Sequence, residues 1–144
     1  MECDEVGVAV LVLDSHVFLW LLSADRRLSA QTRAIIEVAA KSGDVRVPVI
    51  VAWELGMLTA RQRLRLREPL VEWFQAAMET SGLLMAAQTV KIAVESTRLP
   101  GDPPSDPADC MIVATARALD ATLVTRDRLI LDYGAQGHVD VLPA

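Results

Sequence analysis

The sequence predicts an α/β protein, three layers thick (α/β/α), with a mostly parallel central sheet. Three observations carry that prediction. The run GVAVLVLD at residues 7–14 is apolar without alternation, as a strand buried on both faces must be. Four more short runs, VRVPV, LLMAA, ATLVT and VDVL, are separated by helix-length segments. Of the 144 residues, 52% are hydrophobic and 23% charged, which supplies a core and excludes a disordered chain. No linker, repeat or low-complexity tract divides residues 1–144, so they read as a single domain with residues 1–6 as a flexible N-terminus.

Each element has its own signal. After the first strand, SHVFLWLLSAD reads as a short helix with Ser15 near its start. Ser29 caps a second helix, AQTRAIIEVAAKS, which Gly43 stops. The strand VRVPV at 45–49 feeds the apolar helix VIVAWELGMLTARQ. In RQRLRLR, residues 61–67, arginines alternate with Leu64 and Leu66, the period of an extended segment with Arg63, Arg65 and Arg67 on one side. Pro69 opens a helix that runs to about Ser81 and ends at Gly82. LLMAA is a strand, and Thr89 begins the helix TVKIAVESTRL. PGDPPSDP is a loop by its Pro, Gly and Asp content. A helix from Asp106, the strand ATLVT, a short helix over 128–133 and the strand VDVL complete the chain.

Composition narrows the functional classes. Cys3 and Cys110 form no disulfide framework, as expected of a reduced cytoplasmic protein. The apolar stretch VGVAVLVLDSHVFLWLL lacks a basic flank and is interrupted by Asp14 and His16, so it is expected to be neither signal nor membrane span. A net charge of −5 argues against a simple electrostatic nucleic-acid binder.

The acids are the informative residues. Asp14 and Asp127 end predicted strands, at the edge where parallel α/β sheets bind ligands. Asp14 can equally cap the helix that follows it. Asp106 is the better cap, with Pro107 at the first helical position and Asp109 at the third. Glu54 and Asp109 sit in apolar helices, where an unpaired buried carboxylate costs several kcal/mol, so each must reach solvent or meet a cation. The fold class brings Asp14, Glu54, Asp109 and Asp127 to one rim, with Thr125 able to orient Asp127. Clustered carboxylates repel, and a hard divalent cation resolves the conflict; an all-oxygen set selects Mg²⁺ or Mn²⁺. His16 and His138 are far apart in sequence and no Cys-X-X-Cys exists, which leaves zinc without a motif. No phosphate-binding Gly-rich loop and no serine nucleophile elbow is present either.

The segments VLDSHVFLWLL, AWELGML, LPGDPPSDPADCMIVATARALDATLVTRD and ILDYG…GHVDVL resemble the PIN-domain ribonucleases, specifically the VapC-type toxins of type II toxin–antitoxin systems. The resemblance runs from about Val8 to Leu142, in the family's order and spacing. It implies a PIN-like fold and a metal site at Asp14, Glu54, Asp109 and Asp127, with Asp106, Ser15 and Thr125 as accessories. It implies a Mg²⁺-dependent endoribonuclease (Mn²⁺ as substitute), a VapB-type antitoxin partner and a homodimer. Four departures stand out: Ser15 for the usual Thr, VPVIVA where serines are common, Cys110 for Arg, and no His shortly before DPAD.

Two bound divalent ions would bring the net charge from −5 to about −1, so RNA would meet a metal-loaded surface. Arg61, Arg63, Arg65 and Arg67 could then grip RNA phosphates or contact the antitoxin, or form a solvated edge. Other aspartate-rich Mg²⁺ folds fit less well. Haloacid-dehalogenase-like phosphatases want Asp-X-Asp where this chain has DSH, and a receiver needs an acceptor Asp on a middle strand. The remaining alternative is a catalytically silent PIN-like binding or assembly module.

Overall fold

The computed structural model describes residues 9–144; the expected flexible N-terminus, Cys3 and the first residues of the GVAVLVLD run lie outside them. The first strand, β1, is Leu11–Leu13. All three of its residues are buried, and successive side chains of a strand point to opposite faces, so both faces of the sheet are covered here. The helix α1, Ser15–Leu22, follows at once, with Asp14 as its N-cap. It is shorter than the sequence suggests because the Ser23 amide closes it on the Leu19 carbonyl and Ala24 turns the chain at φ 53°. Then come α2 (Ala30–Lys41), capped by the Ser29 hydroxyl, and β2 (Val45–Pro48).

Pro48 passes the chain directly into α3, Val49–Ala60. The RQRLRLR segment forms turns and bends and joins no sheet, in place of the expected extended run. Its alternation survives as exposure alone, arginines in solvent and Leu64 and Leu66 half-buried, because burial of the two leucines is satisfied without strand pairing. The helix α4 is Leu70–Ser81, with Pro69 as the cap rather than the first helical residue. Gly82 ends it at φ 71°, a left-handed conformation that glycine adopts without steric cost. The remaining elements are β3 (Leu84–Ala86), α5 (Val90–Glu95), α6 (Pro107–Ala118), β4 (Thr122–Thr125), α7 (Arg128–Ala135) and β5 (Asp140–Pro143).

The five strands pair in the order β3-β2-β1-β4-β5, all parallel. The core is centred on β1, β2 and β4, where Val12, Leu13, Val45, Val47, Leu123 and Val124 have no exposed surface. Each such side chain contributes about 1.5–3 kcal/mol of burial. Strand order reverses between β1 and β4: the chain builds outward to β2 and β3, then returns to add β4 and β5 on the other side. Connections from the two neighbours therefore diverge, opening a crevice at their carboxyl ends.

Candidate active site

Register brings the acids of β1 and β4 together. Leu13 pairs with Val124, and the Asp14 amide continues the ladder by donating to the Val124 carbonyl at 3.3 Å. Asp14 thus stands beside Thr125, two residues before Asp127. Its carboxylate is held at both oxygens: the Val17 amide donates to Oδ1 at 2.9 Å, and the Thr125 hydroxyl donates to Oδ2. The same hydroxyl accepts the Asp127 amide at 3.0 Å, while Asp127 Oδ1 accepts the Ile130 amide at 3.1 Å and caps α7. From the other side, α3 presents Glu54, whose Oε1 accepts the Ser15 hydroxyl. The helix α6 presents Asp109 in its first turn, behind Asp106, whose Oδ1 accepts the Ala108 amide at 2.8 Å.

These groups line one cleft of about 440 Å³, bounded by Asp14, Ser15, Glu54, Asp106, Asp109 and Asp127 and edged by His16, Trp20, Arg27 and Arg126. Capping and site formation are compatible here, because a cap needs only one carboxylate oxygen. Asp14, Asp106 and Asp127 cap α1, α6 and α7, so three helix N-termini meet at the cleft and their dipoles favour negative charge.

Burial works against that charge. Asp14 is 6% exposed, and desolvation raises its carboxyl pKa despite the hydrogen bonds from Thr125 and Val17. Glu54 is raised by burial too, with Asp106 and Asp14 adding repulsion and the Ser15 bond opposing. Asp109 is pushed up to about 7, by burial first and then by the charges of Asp127, Asp106, Glu54 and Asp14. A cation placed among these groups would relieve desolvation and repulsion together.

The donor set fits Mg²⁺ or Mn²⁺ in its chemistry, since it is carboxylate and hydroxyl oxygen with a single exposed imidazole at the edge. It is not closed in advance. Among the described residues no group of three or more His, Cys, Asp or Glu is arranged to hold an ion, so an ion placed here would have to draw the carboxylates together against their mutual repulsion.

The family model for the PIN domain matches residues 11–135, most of the chain and every acid of the cleft. The chain belongs to the PIN-domain family. This PIN domain is 35% identical over 129 residues to Ribonuclease VapC22 of Mycobacterium tuberculosis, spanning 88% of this chain and 93% of the relative. Two solved structures share its fold. The crystal structure of VapBC2 from Rickettsia felis, bound to a DNA fragment from their promoter, matches with a TM-score of 0.64 at 16% identity, covering 92% of this chain and 97% of that one. The crystal structure of FitAcB from Neisseria gonorrhoeae matches with a TM-score of 0.58 at 20% identity, covering 92% and 96%.

In this PIN domain the residues singled out from sequence, Asp14, Glu54, Asp109 and Asp127, share the cleft, as do Ser15 and Asp106, while Thr125 lies behind Asp14 with no exposed surface. Arg61, Arg63, Arg65 and Arg67 do not join them: all four are exposed beyond the end of α3, and none lines the cleft. The cations that do edge the cleft, Arg27 and Arg126, escaped sequence reasoning. Arg126 carried a signal in TRD, immediately before Asp127; Arg27 carried none. No helix among the described residues is long and apolar enough to cross a membrane.

Proposed function

We propose that this PIN domain is a metal-dependent endoribonuclease, the toxin of a toxin–antitoxin pair, hydrolysing RNA phosphodiester bonds at the carboxylate cleft. The observation that carries the reading is the convergence of Asp14, Glu54, Asp109 and Asp127 at the point where strand order reverses, with Asp109 raised to about 7. Resemblance to a protein named as a ribonuclease supports the reaction class. Fold neighbours solved as VapBC and FitAB assemblies support an antitoxin, of the VapB type, as partner. A homodimer acting in the cytoplasm completes the proposal.

Asp14 and Asp109 would hold Mg²⁺ directly, with Glu54 and Asp127 completing the set directly or through water; Mn²⁺ would substitute. When bound, the ion supplies positive charge to the phosphate oxygens and acidifies water for in-line attack. The chain's own contribution is positioning. Thr125 and the Val17 amide fix the Asp14 carboxylate before any ligand arrives, and Ser15 does the same for Glu54. Ile112 and Trp20 give the cleft apolar walls, which keep these interactions strong.

The test is cleavage of a mixed RNA pool by the purified, partner-free chain in Mg²⁺ and in EDTA, beside Asp14→Asn. Cutting that needs Mg²⁺ and disappears in the variant is expected. A folded chain that neither binds Mg²⁺ nor cuts RNA in the pool would return weight to the silent binding module.

A further inference from the structure

We infer that Arg126 is the residue that receives an RNA phosphate at the mouth of the cleft, held ready by Trp20 and two main-chain oxygens. This rests on the ribonuclease reading and names a substrate contact for the same site. The Arg126 side chain edges the cleft that Asp14, Glu54, Asp109 and Asp127 line. Its guanidinium lies over the Trp20 ring, 5.3 Å from the centroid. Its Nε donates to the Ala144 oxygen at 3.1 Å and its Nη2 donates to the Arg27 carbonyl. A ring and two oxygens thus fix the plane of the fork while leaving several of its N–H donors unspent.

No side-chain carboxylate of the described residues pairs with Arg126. Among the described residues the side-chain ion pairs are Arg27 with Asp25 and Arg98 with Glu95, and neither involves Arg126. Arg27 lies over the same ring at 5.1 Å, but both its Nε and Nη2 are engaged by Asp25. No hydrogen bond or ion pair among the described residues joins Arg126 to a carboxylate of the acidic cluster. A pre-oriented guanidinium beside a carboxylate site, with no side-chain carboxylate of its own, matches the geometry and charge of a phosphodiester. It also answers the charge objection locally, since RNA passing over the acids needs a cation at the edge.

The experiment measures binding of a cleavage-resistant phosphorothioate single-stranded RNA to the full chain in Mg²⁺, over a range of salt. Wild type, Arg126→Ala and Arg126→Lys are compared, with melting curves as the folding control. Arg126→Ala is expected to bind about tenfold more weakly, with the slope of log K against log salt reduced by roughly 0.7 for one lost phosphate contact, and Arg126→Lys to restore the slope. On cleavable RNA the alanine variant should raise KM with little change in kcat. A folded Arg126→Ala with unchanged affinity, or with weaker binding but an unchanged slope, would overturn the inference, the second result marking a structural tether. Unchanged RNA binding with weakened binding of a poly-glutamate peptide would also overturn it, in favour of an acidic protein partner. Wild type that fails to bind RNA at all would sink the ribonuclease reading itself.

Discussion

Asp109 concentrates the physics of this molecule in one carboxyl group. It sits in the first turn of α6, where burial first, and then four other acids, raise its pKa to about 7. In the unfolded chain the same group titrates near 3.8, so between these values the folded state binds the extra proton. The stabilisation is complete below about pH 4 and is lost as pH rises through 7. Metal-free protein in EDTA should therefore be less resistant to denaturant at pH 8 than at pH 5.5. Asp109→Asn should flatten that dependence, leaving the contributions of Asp14 and Glu54, which are raised in the same sense. At pH 8 the variant should gain on the order of 1–2 kcal/mol, well short of the full shift because the group is partly solvated. Parallel pH slopes for wild type and variant would contradict this account. Thr125 plays the complementary part: without exposed surface, its one hydroxyl donates to Asp14 and accepts from the Asp127 amide, coupling the two strand ends.

At the scale of elements, the placement of Asp106 and Asp109 depends on the loop before α6, which is pinned by α7 and the turn after it. The Tyr133 hydroxyl donates to the Pro100 carbonyl at 2.5 Å, and Gln136 Oε1 accepts the Asp102 amide at 3.1 Å. His138 stacks against Tyr133 with ring centroids 5.2 Å apart. Gly101 passes this cluster at φ 69°, and a Cβ there would stand 2.5 Å from His138 Nε2 and 2.7 Å from Gln136 Oε1. Gln136 Oε1 is already engaged by the Asp102 amide and the His138 ring by Tyr133, so moving either loses a contact. Gly101→Ala should cost about 1–2 kcal/mol, read as a lower melting temperature, and should slow RNA cleavage by loosening the entry to α6. Unchanged stability would mean that the loop is not held as described. Three helices announced themselves in sequence through their caps: Ser29, Thr89 and Asp106 each accept an amide within the first turn, whereas the cap role of Asp127 emerged only in the structure. The RQRLRLR segment misled, because alternation reports which residues are buried and not what buries them.

For the whole molecule, the acids are a destabilising feature that an ion should reverse. Mg²⁺ that binds only the folded chain stabilises it by mass action, by about 2.7 kcal/mol at a hundredfold excess over Kd. Melting temperature should rise with Mg²⁺, return on adding EDTA, and fail to rise in Asp14→Asn. The absence of any Mg²⁺-dependent shift in the wild type would remove the ion from this cleft. Convergence itself is a property of topology. The order β3-β2-β1-β4-β5 places β1 beside β4, so residues 14 and 127 become neighbours although most of the chain lies between them.

The residues alone determined the strands, most of the helices and several of their caps, and singled out four acids that the fold brings to one cleft, because each of those signals is local: an uninterrupted apolar run, a capping side chain, a charge with no polar neighbours. Pairing and orientation were decided only in three dimensions. That Thr125 serves Asp14 as well as Asp127, that Ser15 holds Glu54, and that Arg126 and not the arginines at 61–67 edges the cleft all depend on which elements pack together. The physical reason is range. Propensity and capping act within a turn or two of the chain, whereas a site built at a crossover joins side chains far apart in sequence, whose distances are set by sheet register and helix packing.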